Sequence, residues 1–364
     1  MRIATVVGNR PQFVKAAAVS RPLRARHDER LIHTGQHHDD ALSAVFFREL
    51  DLPAPDVELA LGGGTNLAQT SRMIAELEPL LADPAQRPDV VLVYGDTNTT
   101  LAGALVAADL GIPIAHVEAG MRSFDRRMPE ERNRVVTDHL AQLLLVPTPT
   151  ATRNLEREGL ADLAVDVGDV MTDVTLHVHP RARERAAGWL AERDLVPGGF
   201  LLATAHRAGN VDEPERLAAL VDVLIAAAGP ERPLVLPLHP RTAARLREHG
   251  EDARLRAAPG VRLVEPVGPL DFATLLVAAD GVLTDSGGVQ KEAYLAGVRC
   301  VTLRDTTEWT ETVQVGWNRL VDLNPQAALD ALAQPVPSGE RPPLFGDGRA
   351  GERVVAALEQ RFAG

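Results

Sequence analysis

A chain of 364 residues, 45% of them hydrophobic and 24% charged, carries enough apolar material for a large core and, at this length, for two domains. Its 38 Lys and Arg against 50 Asp and Glu give 38 − 50 = −12, a charge that repels a nucleic-acid backbone or an anionic membrane surface and favours a small-molecule partner. One cysteine, Cys300, excludes an internal disulfide framework and reads as a core residue of a cytosolic protein, with neither an export signal nor a membrane span expected.

Short apolar runs alternate with amphipathic helical patterns from end to end. Strands are predicted at 2–7, 30–34, 90–94, 114–118, 143–147 and 164–167, then at 200–204, 234–238, 261–264, 281–284, 299–303 and 319–321. Helical patterns fall between them at 13–26, 67–81, 99–110, 132–143, 214–228 and 242–249, and a last one spans 350–362. Strands that are apolar throughout and spaced by helices imply parallel sheets covered on both faces, and about a dozen of them exceed one ordinary open sheet. The expected fold class is α/β, with two doubly wound, Rossmann-like parallel-sheet domains facing across a cleft. Their join is expected near 170–180, giving an N-terminal domain over 1–172, a C-terminal domain over 173–349, and a helix over 350–364 packing back on the first.

Ligands of such sheets sit beyond the carboxyl ends of the strands, so the residues just after each run carry the functional reading. The first run ends in Gly8-Asn9-Arg10-Pro11-Gln12, with Lys15 one turn on. These cations suit a phosphate, although an arginine there is equally at home on a bare surface. Gly95-Asp96-Thr97-Asn98 follows the run at 90–94, and Asp96 taken alone reads first as a helix cap. Glu118 closes the next run, and Pro129-Glu130-Glu131-Arg132-Asn133-Arg134 comes soon after. Glu130 and Arg134 lie four apart and would make an ordinary helix ion pair. Yet three acidic residues at one sheet edge, Asp96, Glu118 and Glu130, are costly unless they do proton chemistry or meet cations.

The second half repeats the pattern. His206-Arg207 follows 200–204, His239-Pro240-Arg241 follows 234–238, and Gly268-Pro269 precedes Phe272. A lone histidine is usually structural, but several at matching strand ends favour a site. At 281–293 an apolar strand breaks at Asp285-Ser286-Gly287-Gly288 and restarts as a helix. Bare glycine backbone, a Ser286 that caps the helix or donates its hydroxyl, and a helix N-terminus together make an anion cradle. Glu292, one turn further, suits the two hydroxyls of a ribose, so the pair suggests a nucleoside diphosphate. The same turn is also common architecture in α/β proteins, and the motif alone leaves both readings open. His33, His37, His38, Asp39 and Asp40 match no closed zinc spacing and read as capping and dipole compensation, so no metal is expected. Gly62-Gly63-Gly64 lacks the strand and third glycine of a dinucleotide fingerprint, so no nicotinamide cofactor is expected either.

In order along the chain stand GNRPQ with Lys15, TGQH at 34–37, GDT at 95–97, HVEAG with Arg122, PEE with Asn133 and Arg134, the two histidine motifs, TDSGG with Gln290 and Glu292, and RDTTE at 304–308. Over nearly its whole length the sequence resembles the non-hydrolysing UDP-N-acetylglucosamine 2-epimerases. The resemblance implies a glycosyltransferase-B type fold, a homodimer, and reversible conversion of UDP-GlcNAc to UDP-ManNAc without an added cofactor, by elimination of UDP to a glycal and re-addition. It implies Asp96, Glu118, Glu130 and His206 as catalytic residues, and Arg10, Lys15, Arg134 and Phe272 as substrate-binding ones. Ser286, Gly287 and Gly288 would hold phosphate and Glu292 the ribose, while Gln36 and His239 lie in motifs tied to a second, activating UDP-GlcNAc. Asn9, Gln12, Gly209-Asn210, Arg241 and Trp309-Thr310-Glu311 depart from the family's usual residues. The rival readings are a UDP-sugar glycosyltransferase, a hydrolysing epimerase that releases ManNAc, and a silent nucleotide-sugar sensor; the acidic trio is surplus to the first and the last.

Overall fold

The apolar runs pair into two sheets whose ladders are parallel throughout. The computed structural model describes residues 1–36 and 53–363, which divide into one unit of Met1–Val174 with Phe345–Gly364 and a second of Thr175–Leu344. The α/β class with two Rossmann-like parallel sheets is therefore the observed one. His37, His38, Asp39 and Asp40 lie outside the described residues.

In the first unit, strands β1 (Arg2–Val7), β2 (Asp28–His33), β3 (Val57–Glu58), β4 (Val90–Tyr94), β5 (Ile114–Val117), β6 (Leu143–Val146) and β7 (Ala164–Asp166) are ordered β3-β2-β1-β4-β5-β6-β7. Helices α1 (Arg10–Arg24), α2 (Asn66–Ala82), α3 (Asn98–Asp109), α4 (Pro129–Leu140) and α5 (Pro149–Arg157) connect them. Alternate residues of each central strand point to opposite cores: Ile3, Val7, Leu92 and Val117 join one cluster, while Ala4, Val6, Val93 and Ile114 join the other. Both faces being covered, the strands read as unbroken apolar runs. The order reverses between β1 and β4, so their carboxyl ends, Gly8 and Gly95, flank the switch point where α/β sheets bind ligands. The final helix of the chain, Ala350–Phe362, belongs to this unit and packs on α1. Its first two amides are capped from afar by Asp173, which accepts from Ala350 N at 3.0 Å and Gly351 N at 2.7 Å.

Helix α6 (Val170–Ala191) leads into the second unit, where β8 (Leu201–Thr204), β9 (Leu234–Pro237), β10 (Val261–Val264), β11 (Gly281–Thr284), β12 (Arg299–Thr302) and β13 (Asn318–Leu320) are ordered β10-β9-β8-β11-β12-β13. Here the reversal falls between β8 and β11, placing Ala205-His206 and Asp285-Ser286 at the equivalent position. Leu201, Leu236, Leu283 and Val301 pack on one face, and Phe200, Leu202, Val235, Val282 and the buried Cys300 on the other.

Several features escaped the sequence, among them the helices α5 and α6, the second of which runs across the expected join. Strand β3 is two half-exposed residues long, too short for any periodicity to register, and exists because it pairs with Ile32 and His33. Several helices begin before their apolar pattern does, because a proline occupies the first or second position: Pro11, Pro129 and Pro240 each start a helix two to three residues ahead of the predicted bound.

Candidate active site

At the switch point of the first sheet the turn after β1 is stitched to β4 by one side chain. Gln12, buried, donates its amide to Tyr94 O at 2.8 Å and Thr100 Oγ1 at 2.9 Å, while its oxygen accepts from Gly8 N at 2.8 Å. A carboxylate could not serve both donor and acceptor roles, which gives the glutamine at this position a structural reason. Asn9 caps α1, accepting from Gln12 N at 3.2 Å.

That bracing aims Lys15 at the carboxyl edge, where its ammonium pairs with Glu118. A Cβ on Gly95 would stand 3.1 Å from Lys15 Nζ and 3.3 Å from Glu118 Oε2, so the three converge, and the φ of 64° there favours glycine. Burial works against the Lys15 ammonium, but Glu118 outweighs it, with Asp96 and Asp169 adding, and the net shift is upward. Glu118 itself holds a left-handed backbone at φ 68°, a conformation that costs a non-glycine residue energy and is retained where the surroundings over-determine it.

Asp96, next along from Gly95, pairs with Arg134. Asn133 supports the loop by donating to Asp96 O at 3.0 Å and Asn98 Oδ1 at 3.3 Å. The cap role considered for Asp96 falls instead to Thr97, which forms a reciprocal capping box with Thr100. The expected Glu130–Arg134 helix pair is also replaced: Arg134 turns to Asp96 and, at 2.6 Å, to Glu131. Glu131 is buried and accepts from Ser123 N at 2.8 Å and Phe124 N at 2.9 Å. Burial would raise its carboxyl, yet these donors and Arg134 hold it below the ordinary range. Glu130, one position earlier on the first turn of α4, is exposed.

The second sheet builds its edge around Asp285. This wholly buried carboxylate accepts from His206 N at 3.1 Å, Arg207 N at 3.0 Å and Asn210 Nδ2 at 3.4 Å, tying the end of β8 to the Ser-Gly-Gly turn. The His206 ring, 43% exposed, stands with Nδ1 3.7 Å from Asp285 Oδ1, which leaves its other edge to solvent. Ser286 is the N-cap of the helix Gly287–Ala296, but its hydroxyl makes no capping bond, contrary to one of the sequence expectations. The hydroxyl and the first amides of the helix remain open to an anion. Glu292, two residues past the buried Gln290, has its carboxyl pushed up to about 7 by burial, partly offset by the charge of Lys291.

Trp309 was not singled out as a site residue, and it lies against this turn. A Cβ on Gly287 would be 3.1 Å from Trp309 Nε1, 3.5 Å from Glu308 Oε2 and 3.8 Å from Arg207 Nη2. The loop is clamped: Gln290 Oε1 accepts from Thr307 Oγ1 at 2.6 Å, Thr307 Oγ1 accepts from Trp309 N at 3.1 Å, and Glu308 grips Arg304 at 2.9 and 3.0 Å. The approach of Trp309 to Gly287 and the Thr307–Gln290 bond span sequence separations that no local pattern reveals.

Of the remaining expected residues, Arg10 is the first residue of α1 and Phe272 is half-buried in the first turns of the helix Pro269–Ala278. Gln36 is engaged inside the first unit, its side chain accepting from Thr99 N at 3.1 Å and Thr99 Oγ1 at 2.8 Å. His239 caps the helix Pro240–Glu248, and its ring lies 5.6 Å from that of His206, tilted by 33°. Arg241, where the family more often has asparagine, pairs with Asp212. Among the described residues no helix is long and apolar enough to cross a membrane, and no group of three His, Cys, Asp or Glu could hold a metal ion.

Residues 21–359 match the family model described as UDP-N-acetylglucosamine 2-epimerase. The chain is 43% identical to a UDP-N-acetylglucosamine 2-epimerase homolog of Methanococcus maripaludis, over 98% of this chain and 99% of the relative. It is 44% identical, with the same coverage, to the UDP-2,3-diacetamido-2,3-dideoxy-D-glucuronate 2-epimerase of Pseudomonas aeruginosa. The solved UDP-GlcNAc 2-epimerase of Methanocaldococcus jannaschii, in complex with UDP-GlcNAc and UDP, superposes with a TM-score of 0.85 at 41% identity, covering 99% of this chain and 100% of that one.

Proposed function

Because the chain belongs to the UDP-N-acetylglucosamine 2-epimerase family, whose members are isomerases on the glycosyltransferase-B-like scaffold, we propose that it inverts C2 of a UDP-linked 2-acetamido sugar, UDP-GlcNAc to UDP-ManNAc, by eliminating and re-adding UDP. No carbonyl acidifies the C2 hydrogen of such a sugar, so acidity must be created. The C1–O bond breaks first, the electron pair leaving with UDP. C1 then carries oxocarbenium character, and the C2 proton passes to a carboxylate to leave a 2-acetamidoglycal. A carboxyl group on the opposite face returns a proton to C2 as the phosphate oxygen re-forms its bond to C1. Atoms and electrons balance with no oxidant.

The observation that carries this reading is the convergence, at one sheet's switch point, of the pairs Lys15–Glu118 and Arg134–Asp96. Lys15 and Arg134 are both shifted upward by their partners against the effect of burial, so they stay cationic. Asp96, Glu118 and the exposed Glu130 serve proton transfer; Arg10, Lys15, Arg134 and His206 offset the charge of the substrate and of departing UDP. Ser286, Gly287 and Gly288 hold the diphosphate, Glu292 the ribose, and Phe272 offers an apolar wall. Gln36 and His239 are the candidates for an activating second nucleotide sugar. The work is thus divided between the two units, proton chemistry in the first and nucleotide binding in the second.

A second reading is favoured by one comparison. The Pseudomonas relative acts on a sugar that differs at C3 and C6 but undergoes the same inversion at C2. The chemistry above is indifferent to those substituents, so UDP-2,3-diacetamido-2,3-dideoxy-D-glucuronate is the alternative substrate. The protein acts as a homodimer in the cytosol, where its single buried thiol stays reduced; light scattering of the purified chain tests the assembly. Incubation with each nucleotide sugar, read by NMR of the anomeric protons, tests the activity. The proposal expects the manno-configured UDP-sugar; free ManNAc and UDP would make the enzyme a hydrolysing epimerase, and unchanged substrate would overturn the reading.

A further inference from the structure

His116, the third residue of β5, is wholly buried, with Nδ1 2.7 Å from Asp138 Oδ1 and Nε2 2.7 Å from Gly95 O. A neutral imidazole has one N–H and one lone pair, so either tautomer would aim a lone pair at an acceptor oxygen. A backbone carbonyl has no proton to give. Asp138 has none either: its other oxygen accepts from Arg122 at 2.8 Å and from Gly120 N at 3.0 Å, the surroundings of an ionised carboxylate. Only an imidazolium, donating from both nitrogens, satisfies the site.

The charges around it balance. Arg122, from the turn after β5, meets Asp138 Oδ2 at 2.8 Å, and its Nε and Nη2 grip Glu158, at the end of α5, at 2.8 and 2.6 Å. Two buried cations therefore alternate with two carboxylates, the arrangement that offsets the cost of taking charge out of water.

The network ends on two glycines. Gly95, at φ 64°, gives its carbonyl to His116 and its N–H to Val117 O at 3.0 Å. Gly120, at φ 76°, donates to Asp138 Oδ2 at 3.0 Å and accepts from Asn154 Nδ2 at 3.0 Å. Asp96 immediately follows the first glycine, and Glu118 lies two residues before the second. We infer that His116 is a positioning residue, a ring that donates from both nitrogens and together with Asp138 sets Asp96 and Glu118 in register. This rests on the roles proposed for those two carboxylates. A ring that lost its Nε2 proton would repel the Gly95 carbonyl and release the turn that carries Asp96.

Two measurements on the full chain test the inference. In protein labelled with ¹⁵N-histidine, the His116 ring signals, identified by their loss in His116→Asn, should show both N–H couplings at pH 7; a bare ring nitrogen there would overturn the charge assignment. His116→Asn and Asp138→Asn should each lower kcat about 10²-fold, the loss expected for a displacement of about 1 Å, while UDP affinity stays within about twofold. Unchanged kcat, or a loss of UDP affinity in parallel with kcat, would overturn the positioning role. Absence of turnover in the unaltered protein would refute the proposed reaction instead, and the spectra would still decide the charge of the ring.

Discussion

Glu292 makes nucleotide-sugar binding pH-dependent in a direction the structure dictates. Its carboxyl, pushed up to about 7 by burial, must be ionised to accept hydrogen bonds from both ribose hydroxyls. About one molecule in eleven is ionised at pH 6 and about ten in eleven at pH 8, so affinity for UDP-GlcNAc should rise about tenfold between them. Calorimetry with UDP-GlcNAc rather than UDP isolates the effect, because a terminal phosphate titrates near pH 6 and a diphosphate diester does not. Stability runs the other way. The folded-state value lies above the ordinary 4.5, so the folded chain binds more protons than the unfolded chain between about 4.5 and 7, and this group's contribution falls as pH rises through that window. At pH 8 the penalty approaches the full difference between about 7 and 4.5, about 3 kcal/mol. Glu292→Gln should therefore unfold at a higher denaturant concentration than the unaltered protein at pH 8 but not at pH 4.5, while binding UDP-GlcNAc more weakly and without the pH slope. An equal slope in the variant, or none in the unaltered protein, would refute the reasoning.

Asp96→Asn and Glu130→Gln should each cut kcat about 10²–10⁴-fold while UDP affinity, by calorimetry, stays within a few-fold. Gly287→Ala places a methyl 3.1 Å from Trp309 Nε1 and over the anion cradle, so UDP affinity should fall at least about tenfold with the melting temperature little changed. The Cys300 thiol is pushed up to about 12 by burial, partly offset by Thr302, so a disulfide reagent at pH 8 should label it only on unfolding.

The parts of this molecule that follow a local rule were legible in its sequence. Strands β1, β4, β10 and β11 begin and end where their predicted runs do; in β4 and β11 burial throughout leaves the run uninterrupted, and in the half-buried edge strand β10 the pattern survives Arg262. Polar residues just past those runs, Asp96, Glu118 and Lys15 among them, are brought together because parallel strands deliver all their carboxyl ends to one edge. What stayed hidden depends on partners distant in sequence. Adjacent glutamates 130 and 131 look alike on paper, yet one is exposed and the other is buried against the amides of Ser123 and Phe124. Gln12 bridging Gly8 and Tyr94, His116 reaching back to Gly95, and Trp309 closing over Gly287 are likewise pairings across separations that periodicity does not encode.

The account stands on inversion by proton exchange at C2, with a carboxylate handling a proton that solvent can replace. Turnover of UDP-GlcNAc in heavy water, without nicotinamide, followed by mass spectrometry and ¹H NMR of the hexose, measures this directly. One deuterium should appear at C2 of the product manno epimer, and at C2 of recovered substrate as the reaction reverses. Epimer formed with hydrogen retained at that carbon would contradict it.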